Sequence, residues 1–262
     1  MAKDLSPVEK AKFVAAKQAC AMVQDGMKLG LGTGSTAEWL VRCLGEMVRG
    51  EGLRIQAVPT SARTADLARE QGIEVISLEE AGWLDLTIDG ADEFDGDLNL
   101  IKGGGAALLH EKIVATASDR MVVIADATKQ VETLGAFPLP VEVIPFGWQA
   151  TKVLIEETLV GLDVLGREVA LREKDGAPVR TDEGNFVLDL HLKRIGNARQ
   201  LGLVLNQVPG VVENGLFVDI CDAVVIGHGD GRVETRDLHS GEAEETRFDF
   251  LAPDNIFNDI AD

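Results

Sequence analysis

Short apolar runs alternate with stretches of helical periodicity through the first half of this chain. Ser6-Pro7 supplies a cap and a first helical position, predicting a helix to about Val23. Met27–Gly32 reads as a short buried strand entering a glycine-rich turn, and Ser35–Val48 as the next helix. Strands are predicted at Ile55–Val58, Val75–Ile76, Leu84–Ile88 and Met121–Ala125, with helices at Ser61–Gln71 and around Lys112–Ala117. Strands that alternate with helices imply a parallel sheet covered on both faces. The expected class is α/β: an open, mostly parallel, Rossmann-like sheet plus a smaller α+β domain.

The rhythm changes at Phe137–Pro145, where three prolines favour an extended crossing over a helix. A helix follows over about Gly147–Leu159. Two strand-like runs, Val179–Thr181 and Phe186–Leu190, flank a turn at Asp182–Asn185. A helix near Ala198–Gln207, a strand at Gly215–Val218 and a buried strand at Ala223–Gly227 complete the pattern. The expected division is 1–137 with 207–228 as the α/β catalytic domain, 138–206 as the small domain, and 229–262 as an acidic extension.

Composition narrows the function classes. A formal net charge of −19 argues against nucleic acid or an anionic membrane as the main partner. It leaves room for a small phosphorylated ligand, because salt screens a distant field over about 8–10 Å. Ten acids against three arginines lie between Asp230 and Asp262, which reads as a solvated tail or acidic surface extension. Cys20, Cys43 and Cys221 are widely spaced and lack metal or disulfide spacing, so small buried residues in a reducing, cytoplasmic setting are expected. No secretory leader or membrane span is expected.

The chemistry concentrates at strand ends. Gly30–Thr36 is a strand-to-helix turn whose backbone N–H groups, with the Thr33, Ser35 and Thr36 hydroxyls around Gly34, suit an anion; a capped tight turn is the alternative. Ser35 stands where a dinucleotide fingerprint has its third glycine, and no Gly-Lys-Ser/Thr of a Walker loop follows. Asp89-Gly90-Ala91-Asp92 ends a parallel strand at the edge where open sheets bind ligands. Two such acids can repel and keep a proton available near neutrality; with Asp95 and Asp97 they also have the composition of a magnesium site. Lys102-Gly103-Gly104-Gly105 favours the metal-free reading, since an ammonium and close backbone approach neutralise a developing oxyanion. Glu111, nine residues past Lys102, falls in the second turn of a helix begun near Ala106 and can act as a base, while His110 points aside. Lys129 follows the fifth strand, either as a substrate contact or as an exposed loop lysine.

Taken together, Gly32–Thr36, Asp89–Glu93, Ile101–Leu108 with Glu111-Lys112, Ala125–Gln130 and Phe137–Pro145 resemble ribose-5-phosphate isomerase of the A type, from about residue 8 to Gly227. The resemblance implies an aldose–ketose isomerase of the non-oxidative pentose phosphate pathway, interconverting ribose 5-phosphate and ribulose 5-phosphate through an enediolate without cofactor or metal. It implies Glu111 as base, with Asp89, Asp92 and Lys102 in catalysis. It implies substrate contacts at Thr33–Thr36, Asp89–Asp92, Lys102–Gly105 and Lys129, and phosphate contact from a first-helix lysine, Lys12 rather than Lys10. A homodimer or homotetramer is implied as well. The acidic end, with Phe248, Phe250, Leu251, Ile256 and Phe257, does not match the family, and Trp39 is expected to serve packing. Two other classes fit parts of the pattern: a sugar-phosphate sensor, which would need no base, and an amino-sugar phosphate deaminase, whose ring-opening histidine is not evident.

Overall fold

Alternate residues of the central strands face two different helical layers. In the strand Lys28–Leu31, Leu29 and Leu31 join a core with Phe13, Leu40, Leu44, Ile88, Ile124 and Val225. Gly30, between them, faces the opposite way, where a Cβ would lie 2.5 Å from Val114 Cγ1. A buried parallel strand has both faces covered, and the period of two divides its side chains between the layers.

The computed structural model describes residues 5–241 and 243–250, in which two units are distinguished. The first comprises the chain up to Gly90, Ile113–Thr128, and the chain from Cys221. Its eight-stranded sheet runs in the order Ala243–Arg247, Arg232–Asp237, Ala223–Gly227, Met121–Asp126, Leu86–Asp89, Lys28–Leu31, Gln56–Pro59, Glu74–Val75. From Ala223–Gly227 to Glu74–Val75 neighbouring strands are parallel; the other two pairings are antiparallel. The expected α/β class is therefore met. The first helix, Pro7–Cys20, is capped by the Ser6 hydroxyl on the Glu9 N–H at 3.2 Å.

Of the two readings of the chain end, a solvated tail or an acidic surface extension, the described residues form the second. Arg232–Asp237 and Ala243–Arg247 continue the sheet, and Phe248 meets Phe13 edge-on at 5.3 Å. Charges recur on both faces of these strands, as edge strands need in order to avoid pairing with other chains. The expectations for Leu251, Ile256 and Phe257 lie outside the described residues.

The second unit is Ala91–Lys112 with Lys129–Ile220. Its four-stranded antiparallel sheet has the order Val211–Asn214, Leu139–Val143, Phe186–His191, Glu168–Leu171. The helices Trp148–Leu159 and Ala198–Leu205 supply Ile155, Leu159, Leu201 and Leu205 to its core. A smaller sheet joins Leu216–Phe217, Leu100–Ile101 and Glu93–Phe94. The proline-rich Phe137–Pro145 stretch thus holds a central strand. The expected pairing of 179–181 with 186–190 is reduced to a single bridge, Arg180 to Phe186. Thr181 instead closes its own loop by accepting the Asn185 N–H, and donates to the buried Glu142 at 2.9 Å.

This partition differs from the expected division at residue 138. Residues 91–112 group with the second unit because the Lys102 N–H reaches Gly215 O (2.9 Å) and the Gly215 N–H reaches Pro140 O (2.8 Å). The Glu93 carboxylate, buried, accepts the N–H groups of Gly135 and Phe137. Among the described residues no helix is long and apolar enough to cross a membrane.

Candidate active site

In the first unit the glycine-rich turn follows the strand Lys28–Leu31 directly. Gly32 has no room for a side chain, since a Cβ there would lie 1.9 Å from Asp89 Oδ1. Gly34, at φ +113°, turns the chain into the helix Ser35–Glu46 without a side-chain cap. The first N–H groups of that helix, with the exposed Ser35 and half-buried Thr36 hydroxyls, form a donor set for an anion.

Thr33 has a different task. Its hydroxyl lies 2.7 Å from Thr60 Oγ1, 2.9 Å from Ser61 Oγ and 3.3 Å from Thr64 Oγ1, and its N–H donates to Asp89 Oδ1 at 3.1 Å. The same Asp89 oxygen accepts the Gly90 N–H at 2.7 Å. Asp89 is fully buried, so its carboxylate shapes the turn from beneath. Sequence reading missed Thr60, Ser61 and Thr64. The signal was present: Ser61 caps the helix Ala62–Glu70 at the carboxyl end of a neighbouring parallel strand.

Lys12 is paired within its own helix, donating to Glu9 Oε1 at 2.6 Å, while Trp39 Nε1 donates to Glu9 Oε2 at 2.9 Å. Burial raises the Glu9 carboxyl, but these two donors outweigh it and leave it below the usual carboxylate range. Trp39 is therefore a hydrogen-bond donor as well as a packing residue, corrected from packing alone. Lys10 lies over the Phe250 ring at 5.8 Å.

The second unit carries the ionisable groups suited to proton transfer. Lys102 Nζ lies 3.2 Å from Glu111 Oε1, and both side chains are buried, at 2% and 5% exposure. Glu111 stands in the first turn of the helix Leu108–Thr116, not the second as expected, because Ala106, at φ +61°, and Ala107 still belong to the preceding loop. An acid in a first turn faces the positive end of the helix dipole. The Phe217 ring lies 5.5 Å from Lys102 Nζ and 5.0 Å from Lys112 Nζ. Lys112 donates to Glu213 Oε1 (2.8 Å) and Asn214 O (2.7 Å), tying this end of the helix to the strand Val211–Asn214. His110 turns to Glu183 Oε1 at 2.8 Å, as its angle on the helix requires.

Asp92 and the glycine loop are joined directly. Asp92 Oδ2 accepts the Gly104 N–H at 2.7 Å. Gly103 is buried at φ +104°, whereas Gly104 and Gly105 are exposed. A Cβ on Gly104 would lie 2.6 Å from Asp92 Oδ1. Gly104→Ala therefore pushes the Asp92 carboxylate off the Gly104 N–H, and misplacing a reacting group by about 1 Å costs on the order of 10²-fold. Steady-state kinetics should show that loss in kcat/KM, with the melting temperature nearly unchanged. Gly90 and Ala91 are half-buried beside the two aspartates in sequence, and Lys129 is half-buried at the end of the single turn Ala127–Lys129. Among the described residues no group of three or more His, Cys, Asp or Glu side chains is placed to hold a metal ion.

A buried carboxylate lies against an ammonium beside a glycine loop, an arrangement chemically able to shift a proton next to a carbonyl. The comparisons with known proteins sharpen that reading. The family model described as ribose 5-phosphate isomerase A (phosphoriboisomerase A) matches residues 56–231. Ribose-5-phosphate isomerase A of Ruegeria pomeroyi is 72% identical over 262 residues, covering all of both chains. The Cereibacter sphaeroides protein of the same name is likewise 72% identical over 262 residues, with full coverage. Among solved structures, a D-ribose-5-phosphate isomerase in complex with phospho-erythronic acid aligns with a TM-score of 0.80 and 38% identity, over 93% of this chain and 100% of that one. Ribose 5-phosphate isomerase A from Methanocaldococcus jannaschii aligns at 0.79 and 40%, over 86% and 97%. The chain belongs to the ribose 5-phosphate isomerase A family.

Proposed function

We propose the following division of roles for the interconversion of D-ribose 5-phosphate and D-ribulose 5-phosphate, the aldose–ketose isomerisation this enzyme performs. The helix N-terminus at Gly34–Thr36 takes the phosphate, whose charge suits the unpaired N–H groups and the dipole there. Asp89 and the hydroxyls around Thr33 hold that turn in shape. Ribose 5-phosphate is mostly a closed ring, so an acid/base group must open it. That role falls to the aspartates, of which Asp92 is half-open to solvent and Asp89 is buried.

Glu111 then removes the proton from C2 of the open aldose, giving a cis-enediolate. The Lys102 ammonium and the exposed Gly105 N–H of the glycine loop stabilise the negative oxygen. Glu111 returns the proton to C1, and a proton shift between the two oxygens completes the ketose. Lys129 is a further substrate contact. The observation that carries this reading is the Lys102–Glu111 pair, 3.2 Å apart and buried, next in sequence to the glycine loop that is hydrogen-bonded to Asp92. A relative's complex with phospho-erythronic acid supports it, because that acid carries a phosphate and a planar pair of oxygens like those of an enediolate.

An ammonium does here what a metal does elsewhere, so turnover should survive metal removal. After dialysis against EDTA, conversion of ribose 5-phosphate to ribulose 5-phosphate should continue at an unchanged rate. Binding without conversion would favour a sensor. Activity lost with EDTA and restored by magnesium would overturn the metal-free reading.

Two further assignments belong to the same reading. Cys20, Cys43 and Cys221 are buried and form no disulfide, in keeping with a cytoplasmic, reducing compartment. The family resemblance implies a homodimer or homotetramer. Light scattering on the purified chain should give about two or four times 28.1 kDa, and a monomer would contradict it.

A further inference from the structure

We propose that Arg172 is a positioning residue: it fixes the peptide planes of the glycine loop so that the Gly104 N–H stays on Asp92 and the Gly105 N–H faces the substrate oxygen. The proposal rests on the reading above, in which that loop meets the substrate.

A run of three glycines has an intrinsic weakness as an anion cradle. Without side chains, each peptide plane can turn over at little steric cost, and half the orientations present a carbonyl instead of an N–H. The Ala106 N–H holds the Gly103 carbonyl from within the loop at 3.0 Å, so the Gly104 carbonyl is the one that needs an external anchor. Arg172 Nη1 donates to Gly103 O at 2.8 Å and to Gly104 O at 3.1 Å. In a planar trans peptide the N–H points opposite to the C=O. Holding these two carbonyls turns the Gly104 and Gly105 N–H groups away from the guanidinium. The Gly104 N–H meets Asp92 Oδ2 at 2.7 Å, and Gly105, exposed, presents the next N–H outward.

The anchor is itself held. Arg172 Nε donates to Asp189 Oδ2 at 2.8 Å and Nη2 to Asp189 Oδ1, a forked pair in which the side chains are only 15% and 19% exposed. Arg172 directly follows the strand Glu168–Leu171 and its N–H bonds Val187 O at 2.8 Å; Asp189 lies on the adjacent strand opposite Ala170. The guanidinium thus stands on a regular sheet and reaches the loop with the nitrogen the aspartate leaves over. A lysine cannot replace it, because a single ammonium lacks the planar fork that serves a carboxylate and two carbonyls together.

The test compares Arg172→Ala, Arg172→Lys and Asp189→Asn with the unaltered enzyme and with Glu111→Gln, measuring kcat, KM for ribose 5-phosphate and melting temperature. A misaimed oxyanion site should lower kcat about 10- to 100-fold in Arg172→Ala, with KM changed less than about 3-fold. Arg172→Lys should be nearly as impaired, and Asp189→Asn should lose about 3- to 10-fold. Guanidinium chloride at tens of millimolar should restore part of the kcat of Arg172→Ala and none of that of Glu111→Gln. Should Arg172→Ala not fold, the lysine and asparagine variants decide. Near-normal kcat in the arginine variants, or losses that follow melting temperature with no response to guanidinium, would overturn the proposal. Normal turnover by Glu111→Gln would instead overturn the reading of the site on which it rests.

Discussion

Glu111→Gln should lose kcat by about 10²–10⁴-fold, the usual contribution of general base catalysis. The amide is nearly isosteric with the carboxylate and keeps an oxygen toward Lys102, 3.2 Å away in the unaltered chain. It cannot accept a carbon-bound proton. KM for ribose 5-phosphate should therefore change little, because the turn proposed to hold the phosphate and the glycine loop are untouched. A variant that removes only a transition-state interaction lowers kcat and kcat/KM together. Glu111→Asp is a useful companion: the base is kept but withdrawn by one methylene, so an intermediate loss is expected. Equal losses in both would point to packing around residue 111 rather than to proton transfer.

The second large effect is expected from Lys102→Met, which keeps the volume of the stem and removes the charge. Two consequences follow from the 2% and 5% exposure of this pair. Taking away the ammonium strands a buried carboxylate, and removing one partner of a buried ion pair destabilises by about 3–5 kcal/mol. The developing oxygen charge also loses its cation, and a single donor of that kind is worth on the order of 10²–10³-fold in kcat. The two losses are separable. Melting temperature and activity measured on Lys102→Met and on Lys102→Met with Glu111→Gln should show stability partly recovered in the double variant, whose neutral amide tolerates burial, with activity no better. Additive losses of stability would mean that the pair is not coupled.

Much of this arrangement could be read before any coordinates. Gly32–Thr36, Asp89–Asp92, Lys102–Gly105 and Glu111 declare themselves because each is a local pattern: a turn that only glycine permits, an acid at a strand end, an acid near a helix start. The central strands were legible for the same reason, being short apolar runs bounded by turns. What escaped notice depends on contacts distant in sequence. Arg172 meets Gly103 across 69 positions and Thr33 meets Thr60 across 27, and neither separation leaves a periodic trace. Arg232–Asp237 and Ala243–Arg247 were read as a solvated tail or an acidic surface extension and not as strands, because their charges show no apolar alternation; only Val233 of Arg232–Asp237 is buried, and the sheet edge needs little more. The helix start near Glu111 shifted by about half a turn because Ala106 adopts a left-handed conformation that composition does not announce.

Proton exchange at C2 tests the central claim most directly. With saturating ribose 5-phosphate in deuterium oxide, the proton signal at C2 should vanish during turnover by the unaltered enzyme, at a rate no slower than ketose formation. Glu111→Gln, holding the same sugar, should leave that signal intact over many turnover times of the unaltered protein. Exchange at C2 by the glutamine variant at the unaltered rate would show that some other group takes the proton, and would contradict the assignment of Glu111.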